Sequence, residues 1–168
     1  DLKGLLPNVL GEVIPSSFDR LGKFTIVGSS QVTSSKVIAD IKINTDLGFL
    51  DSSLEINKIN DIDNAAYKGK VIFEEFDFGT FLNDPNVGIA SLNFDVDGKG
   101  FVTKTIDTQV KGDVFELVYN NYNYSDIKVA GNIRNNIFDG NLISNDKNLK
   151  LNFTGLIDFS EAINKYDF

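Results

Sequence analysis

Strict alternation of apolar and polar residues runs through most of this chain and constrains its fold more than any other feature. A period of two places apolar side chains on one face of a β-strand and polar ones on the other. A helix with the same sequence would bring several of the charges into its core. The pattern therefore predicts antiparallel strands with one apolar and one wet face. The apolar members are Val37, Ala39, Ile41 and Ile43; Leu92, Phe94 and Val96; Ile106, Val110 and Val114; Ile127, Val129 and Ile133; and Leu149, Leu151, Phe153, Ile157 and Phe159.

The segments between these strands carry turn-forming residues. Asparagine, aspartate and glycine tolerate left-handed backbone and favour tight turns, and strands joined by tight turns are antiparallel neighbours. We therefore predict an all-β antiparallel meander, with short helices at residues 8–14 and 77–83. The turns are expected at Asp97-Gly98-Lys99-Gly100, Asn120-Asn121 and Asn145-Asp146-Lys147-Asn148.

A weak repeat places a glycine two residues before an aliphatic residue. It begins at Gly69, Gly112, Gly131, Gly140 and Gly155. Gly112, Gly131 and Gly155 fall on the apolar face of their strands. Such glycines either let the sheet curl by close approach of backbones or mark ordinary β-bulges, and the sequence leaves both open.

Composition excludes several classes of function. The 168 residues suit one domain, residues 1–168, and the lack of methionine suggests a fragment of a longer protein. With no cysteine and no histidine, thiol chemistry and the commonest general base are absent. The net charge of −8 and the scattered cations disfavour nucleic-acid binding. We predict a protein that is not an enzyme and that needs no cofactor or metal.

Several polar clusters resemble binding or catalytic sites, and each is better interpreted as structural. The segment from Asp95 to Gly100 resembles the start of a calcium loop, but Lys99 and Ile106 occupy positions that require oxygen ligands. The acidic group of Glu74, Glu75 and Asp77 has no second carboxylate cluster beside it. The tyrosines around the Asn120-Asn121 turn are typical of strand ends.

The C-terminal part of the chain resembles the TamB and AsmA-like family of bacterial envelope proteins. The resemblance is closest to a repeat with a tyrosine pair, an apolar strand, phenylalanine-aspartate-glycine and an alternating strand that ends on glycine, isoleucine and aspartate. It extends over roughly residues 67–160. The matching strings are YNYSDIKVAGNIRN (residues 122–135), FDGNLISND (138–146) and NLKLNFTGLIDFS (148–160).

The resemblance implies a β-sheet curled into an elongated half-pipe with an apolar lining. It further implies a periplasmic protein whose membrane anchor lies outside this fragment. Such proteins carry phospholipids towards the outer membrane and assist outer-membrane protein assembly with an Omp85-type partner. Phospholipid acyl chains are then the expected ligand, and the family offers no catalytic residues to transfer.

Two functions follow as hypotheses, because a sheet with one apolar face must close on itself or be filled by something else. The first is a lipid-conducting β-groove. The alternative is a closed β-sandwich that serves as a scaffold or adhesion module for protein partners. For the groove, the predicted lining residues are Ile106, Val110, Val114, Ile127, Val129, Ile133, Leu149, Leu151, Phe153 and Ile157.

Overall fold

Ten strands and two short helical segments make up the described part of the chain in a computed structural model. The structure describes residues 16–61, 63–101, 105–158 and 165–167. A 3₁₀ helix at Ser16–Leu21 precedes the first strand. The elements that follow are β1 (Phe24–Val32), β2 (Lys36–Thr45), β3 (Gly48–Asn57), β4 (Ala66–Asp77), α1 (Phe78–Leu82), β5 (Val87–Lys99), β6 (Asp107–Tyr119), β7 (Tyr122–Arg134), β8 (Ile137–Asn145), β9 (Lys150–Asp158) and β10 (Lys165–Asp167).

The strands form one antiparallel sheet in which sequence order equals spatial order, from β1 to β10. The sheet is not closed, because β1 and β10 are its two edges. In the described part of the chain, extensive strand contacts run between consecutive strands alone, and α1 packs on β5 and the 3₁₀ helix. The predicted all-β antiparallel meander is confirmed, and its described strands belong to one sheet rather than two.

The predicted alternation is confirmed along the strands. In β2, Ala39 is buried while its neighbours Ile38 and Asp40 are exposed. In β9, Phe153 is buried between exposed Asn152 and Thr154. The strand register keeps the buried residues of neighbouring strands on the same face of the sheet, because residues paired across an antiparallel ladder share a face. Phe159 lies outside the described residues.

The predicted helix at residues 77–83 is confirmed as α1. Asp77 caps its start by accepting hydrogen bonds from the backbone N–H of Thr80 at 2.9 Å and the Thr80 hydroxyl at 2.7 Å. Asn83 ends it in the left-handed region with φ 60°. The helix packs on β4 through aromatic rings: Phe78 and Phe81 of the helix contact Phe76 of β4, and Phe78 also contacts Phe73. Phe73 and Phe76 contact each other as well. The helix predicted at residues 8–14 lies outside the described residues.

Of the predicted turns, that at Asp97 to Gly100 is wrong. β5 continues through Lys99, and Asp97 pairs with Lys68 of β4 and Gln109 of β6. Hydrogen-bonded partners on both sides hold these residues extended, so the chain leaves the strand at Gly100, with φ 75°. The turn at Asn120-Asn121 is confirmed, with φ 49° and 62°.

The repeated glycines do not sit at β-bulges. Gly131 pairs with Gly140, and Gly140 pairs with Gly155, in unbroken register. The register shifts lie elsewhere, between Phe73 and Phe76 in β4 and at two places in the β5–β6 ladder. The bulge interpretation is therefore wrong for these three glycines.

Candidate functional site

One face of the sheet carries the apolar side chains of consecutive strands, and we call it the apolar face. It continues across the sheet because most cross-strand partners on it are apolar, and serine and glycine fill the remaining positions of the rows given next. One row of partners runs from Ile41 through Ser52, Val71, Phe94, Gly112, Val129 and Leu142 to Phe153. The next row runs from Ile43 through Leu50, Phe73, Leu92, Val114, Ile127 and Ser144 to Leu151.

The apolar face is most densely packed over β6 to β9. Val110, Phe138, Phe153 and Ile157 form a buried cluster there, with Phe138 5% exposed and Phe153 4% exposed. Around it lie partly buried side chains that keep some contact with solvent. These are Val96, Val129, Ile133, Leu142 and Leu151.

The structure brings six of the ten predicted lining residues into this cluster or against it. They are Val110, Val129, Ile133, Leu151, Phe153 and Ile157. Val114 and Ile127 pair with each other one row away on the same face. Ile106 and Leu149 lie immediately before β6 and β9 and are half-buried. Whether any of these side chains contacts lipid stays a prediction.

Three residues in the cluster or packed against it are absent from the predicted lining: Phe138 of the cluster, and Val96 and Leu142 beside it. For Phe138 and Leu142 the signal was present in the sequence. Phe138, Gly140 and Leu142 alternate with Asp139 and Asn141 across β8. Gly140 interrupts the run of large apolar side chains, so β8 does not show the regular alternation of bulky residues by which the other strands were recognised.

The glycines of β7 and β8 make room for Phe138. A Cβ atom on Gly131 would lie 2.7 Å from two ring atoms of Phe138 and 2.6 Å from the backbone oxygen of Asp139. On Gly140 it would lie 2.9 Å from the same ring. The phenyl ring therefore lies directly over the backbone of both glycines, in space that a side chain at either position would occupy.

The opposite face, which we call the polar face, carries cross-strand ion pairs. Lys68 Nζ lies 2.8 Å from Asp97 Oδ2, and Lys70 Nζ lies 3.1 Å from Asp95 Oδ1. Further pairs join Lys36 to Glu55 and Arg134 to Asp107. Each contributes little to stability because water and salt screen it.

An open trough of about 890 Å³ runs across the polar face from β3 to β8. Lysine and aspartate side chains alternate along it, including the two pairs at Lys68 and Lys70. Most of the exposed lining of the trough is nonetheless apolar, and the charged groups lie among glycine, alanine and valine residues.

Three of the candidate carboxylates have structural partners. Asp95 and Asp97 are paired with lysines, and Asp77 caps α1. In the described part of the chain, no group of three or more acidic residues is placed to hold a metal ion. In the same part, no helix is long and apolar enough to cross a membrane.

A buried carboxylate holds the turn between β8 and β9. Asp146 is 5% exposed and accepts hydrogen bonds from the backbone N–H of Asn148 at 2.8 Å, the Tyr122 hydroxyl at 2.9 Å and the Ser125 hydroxyl at 3.0 Å. Hydrogen bonds hold the pKa of Asp146 below its ordinary value, chiefly the one from the Asn148 N–H and in addition those from Tyr122 and Ser125. Burial acts in the opposite direction and is outweighed. The Tyr122 ring also packs edge-on against Tyr124.

Tyr67 lies on the apolar face near the start of β4. Its hydroxyl is hydrogen-bonded to the buried hydroxyl of Thr108, and its ring packs on Phe101 with centroids 4.8 Å apart. Burial raises the pKa of the Tyr67 hydroxyl. The side chain is thus a neutral hydrogen-bonding residue rather than a titrating group at neutral pH.

Comparison with known proteins gave no relatives: no protein-family model, no curated protein and no solved structure matches this chain.

Proposed function

We propose that this chain holds lipid acyl chains on its apolar face, as one segment of a lipid-conducting β-groove. The observation that supports the proposal most is the combination of a continuous apolar face and a single open sheet. The described strands supply no second sheet to cover this face. A bound acyl chain would cover it.

The partly buried side chains around the cluster are the expected contacts. Phe138 and Phe153 are almost fully buried already and offer little further surface. Val129, Ile133 and Leu142 retain accessible area on the same face. A chain of ~16 carbons costs roughly 12 kcal/mol to expose to water at about 0.8 kcal/mol per methylene. Contact with a continuous apolar row would remove much of that cost.

The resemblance to the TamB and AsmA-like family extends the proposal to a cellular role. On this proposal the chain is a segment of a periplasmic protein that is anchored in the inner membrane. It passes phospholipid towards the outer membrane and works with an Omp85-type assembly protein. The polar face would remain in water, because an anionic lipid surface repels a chain with a net charge of −8.

The test is photo-crosslinking of the chain in bacterial cells, with a photoreactive residue at one position at a time. Probes at Val129, Ile133 and Leu142, the accessible residues of the apolar face, should capture phospholipid. Matched probes at Lys128 and Asn141, the exposed sequence neighbours of Val129 and Leu142 on the polar face, should not. Native mass spectrometry of the purified chain should then show bound phospholipid.

Two outcomes would reject the proposal. Absence of lipid adducts at all five positions would favour the alternative function, a scaffold or adhesion module for protein partners. Equal adducts on both faces would indicate non-specific adsorption.

A further inference from the structure

Aromatic rings lie on the apolar face at both ends of β4. Near its start, the Tyr67 ring packs on Phe101 with centroids 4.8 Å apart. Near its end, Phe73 belongs to the rings that pack against α1. Between these two ring groups, the apolar-face positions of β4 are Gly69 and Val71. On this strand, large rings therefore border two small residues.

The helix α1 covers the apolar face at the end of β4. Phe78 of the helix packs on Phe73 and Phe76 with ring centroids 5.0 and 4.9 Å apart. Phe81 packs on Phe76 at 5.7 Å, and Phe76 is 2% exposed. The Phe81 carbonyl also accepts a hydrogen bond from Arg20 of the 3₁₀ helix at 2.7 Å. A helix of five residues is too short to be stable alone, so these contacts hold it in place.

The middle of β4 carries little side-chain bulk on the apolar face. Gly69 has φ 150°, and a Cβ atom there would lie 2.0 Å from the backbone oxygen of Ser53. The position therefore admits no side chain. Val71 is half-buried, and its cross-strand partners are Ser52 on β3 and Phe94 on β5. On the β3 side, the neighbour of Val71 is thus a small residue.

On the β5 side, the Phe94 ring is directed away from β4. A Cβ atom on Gly112 of β6 would lie 2.6 Å from Cδ1 of this ring. The ring therefore lies over Gly112, in the space that a side chain of β6 would occupy. Val71 is consequently bordered along its row by a small side chain and by a ring that extends in the opposite direction.

The space between the two ring groups is narrow. Positions on one face of a strand are two residues apart, roughly 6–7 Å, and only Gly69 and Val71 lie between the rings. A helix of a protein partner, about 10–12 Å across, would collide with the rings on both sides. A single hydrocarbon chain that lies across the strands is thinner and can pass between them.

We propose that β4 is the narrowest point of the groove and that an acyl chain crosses it over Gly69 and Val71. The inference rests on the proposed function and adds the place where the ligand crosses one strand. Tyr67 and Phe73 limit the passage on its two sides. Val71 is the side chain that determines its size, so a larger residue at this position closes the passage.

The first test places a photoreactive residue at one position of β4 at a time, in bacterial cells. A probe at Val71 should capture phospholipid. Probes at Phe76, which is on the same face but under α1, and at Ile72, on the opposite face, should not. A probe at Leu142 of β8 reports whether the apolar face binds lipid at all.

The adduct pattern separates failure of this inference from failure of the proposed function. Capture at Leu142 without capture at Val71, or equal capture at Val71 and Phe76, would overturn the passage over β4 and leave the proposed function standing. Absence of capture at Leu142 and Val71 alike would reject both.

The second test measures the phospholipid that is retained by the purified chain, using native mass spectrometry. Val71→Phe should lose most of the bound phospholipid, whereas the matched control Ile72→Phe should retain as much as the wild type. Adding Phe78→Ala to Val71→Phe should restore part of the loss, because it removes a ring from the border of the passage. Circular dichroism shows whether each variant is folded.

Retention of wild-type amounts of phospholipid by folded Val71→Phe, or an equal loss in Ile72→Phe, would overturn the role of Val71. If Val71→Phe does not fold, the adduct pattern at Val71, Phe76 and Leu142 decides alone.

Discussion

At the scale of single residues, Asp146 shows how a charge is made compatible with burial. Its carboxylate lies in a turn, almost without solvent contact, and receives hydrogen bonds from Tyr122, Ser125 and Asn148. These donors come from the β7 strand and from the turn itself. The side chain therefore ties the start of β7 to the β8–β9 turn across the sheet.

The lowered pKa of Asp146 makes its contribution to stability dependent on pH. A carboxyl whose folded pKa lies below its unfolded value stabilises the fold above the unfolded value of about 3.9. That stabilisation is lost as pH falls through the folded pKa. We expect Asp146→Asn to be less stable than the wild type at pH 7 in urea unfolding, with a difference that shrinks below a pH of about 4.

The exposed Asp139 of β8 provides the control for this substitution. Asp139→Asn should change stability by less than about 0.5 kcal/mol, because its side chain is on the solvent side of the sheet. A difference between Asp146→Asn and the wild type that is the same at low and neutral pH would contradict the role assigned to the carboxylate.

At the scale of elements, the two faces of a strand should differ sharply in their tolerance of charge. Phe153 of β9 is 4% exposed within the buried cluster, and Asn152 is exposed on the polar face. Phe153→Asp should cost at least about 4 kcal/mol, since it removes a buried ring and adds an unpaired charge. Asn152→Asp should cost less than about 0.5 kcal/mol. Thermal unfolding of both variants measures the contrast, and similar losses would contradict the strand phase.

The elements also show what sequence patterns can and cannot determine. Strand phase was predictable, because alternation such as that of Ile127, Val129 and Ile133 depends on local side-chain direction. The helix at residues 77–83 was predictable from the helical spacing of Phe78, Phe81 and Leu82 and from the Asp84-Pro85 pair that follows it. The turn at Asp97 to Gly100 was not. Its turn-forming residues are outweighed by ladder partners from Ala66 to Lys68 and from Asp107 to Gln109, which are distant in sequence.

The candidate site was predictable in part for the same reason. Val110, Phe153 and Ile157 were found from alternation, which fixes the face. Phe138 and Leu142 were missed because the importance of Gly140 depends on Gly131 and Gly155 in the neighbouring strands. Such a row of glycines becomes visible once the register is known.

At the scale of the whole molecule, stability should vary along the sheet. Each described strand is held mainly by the strands before and after it, and β1 has a neighbour on one side. An end strand can therefore separate without disturbing the centre. We expect hydrogen exchange of the β2-bonded amides in β1 to be faster than that of the amides in β6 and β7. Equal opening free energies in these strands would instead indicate one cooperative unit.

The neighbour-to-neighbour arrangement has a consequence for how such a molecule can change in evolution. A domain built around a central core has a size limit, because every added element must reach that core. Here, duplication of a β-hairpin would insert two new strands into the sheet. Only the two strands on either side of the insertion would lose their pairing, and all other strand pairs would be unchanged. Every insertion lengthens the sheet by about 9–10 Å, at 4.7–4.9 Å per strand. The span of the protein can therefore be adjusted in steps of one hairpin without redesign of the rest.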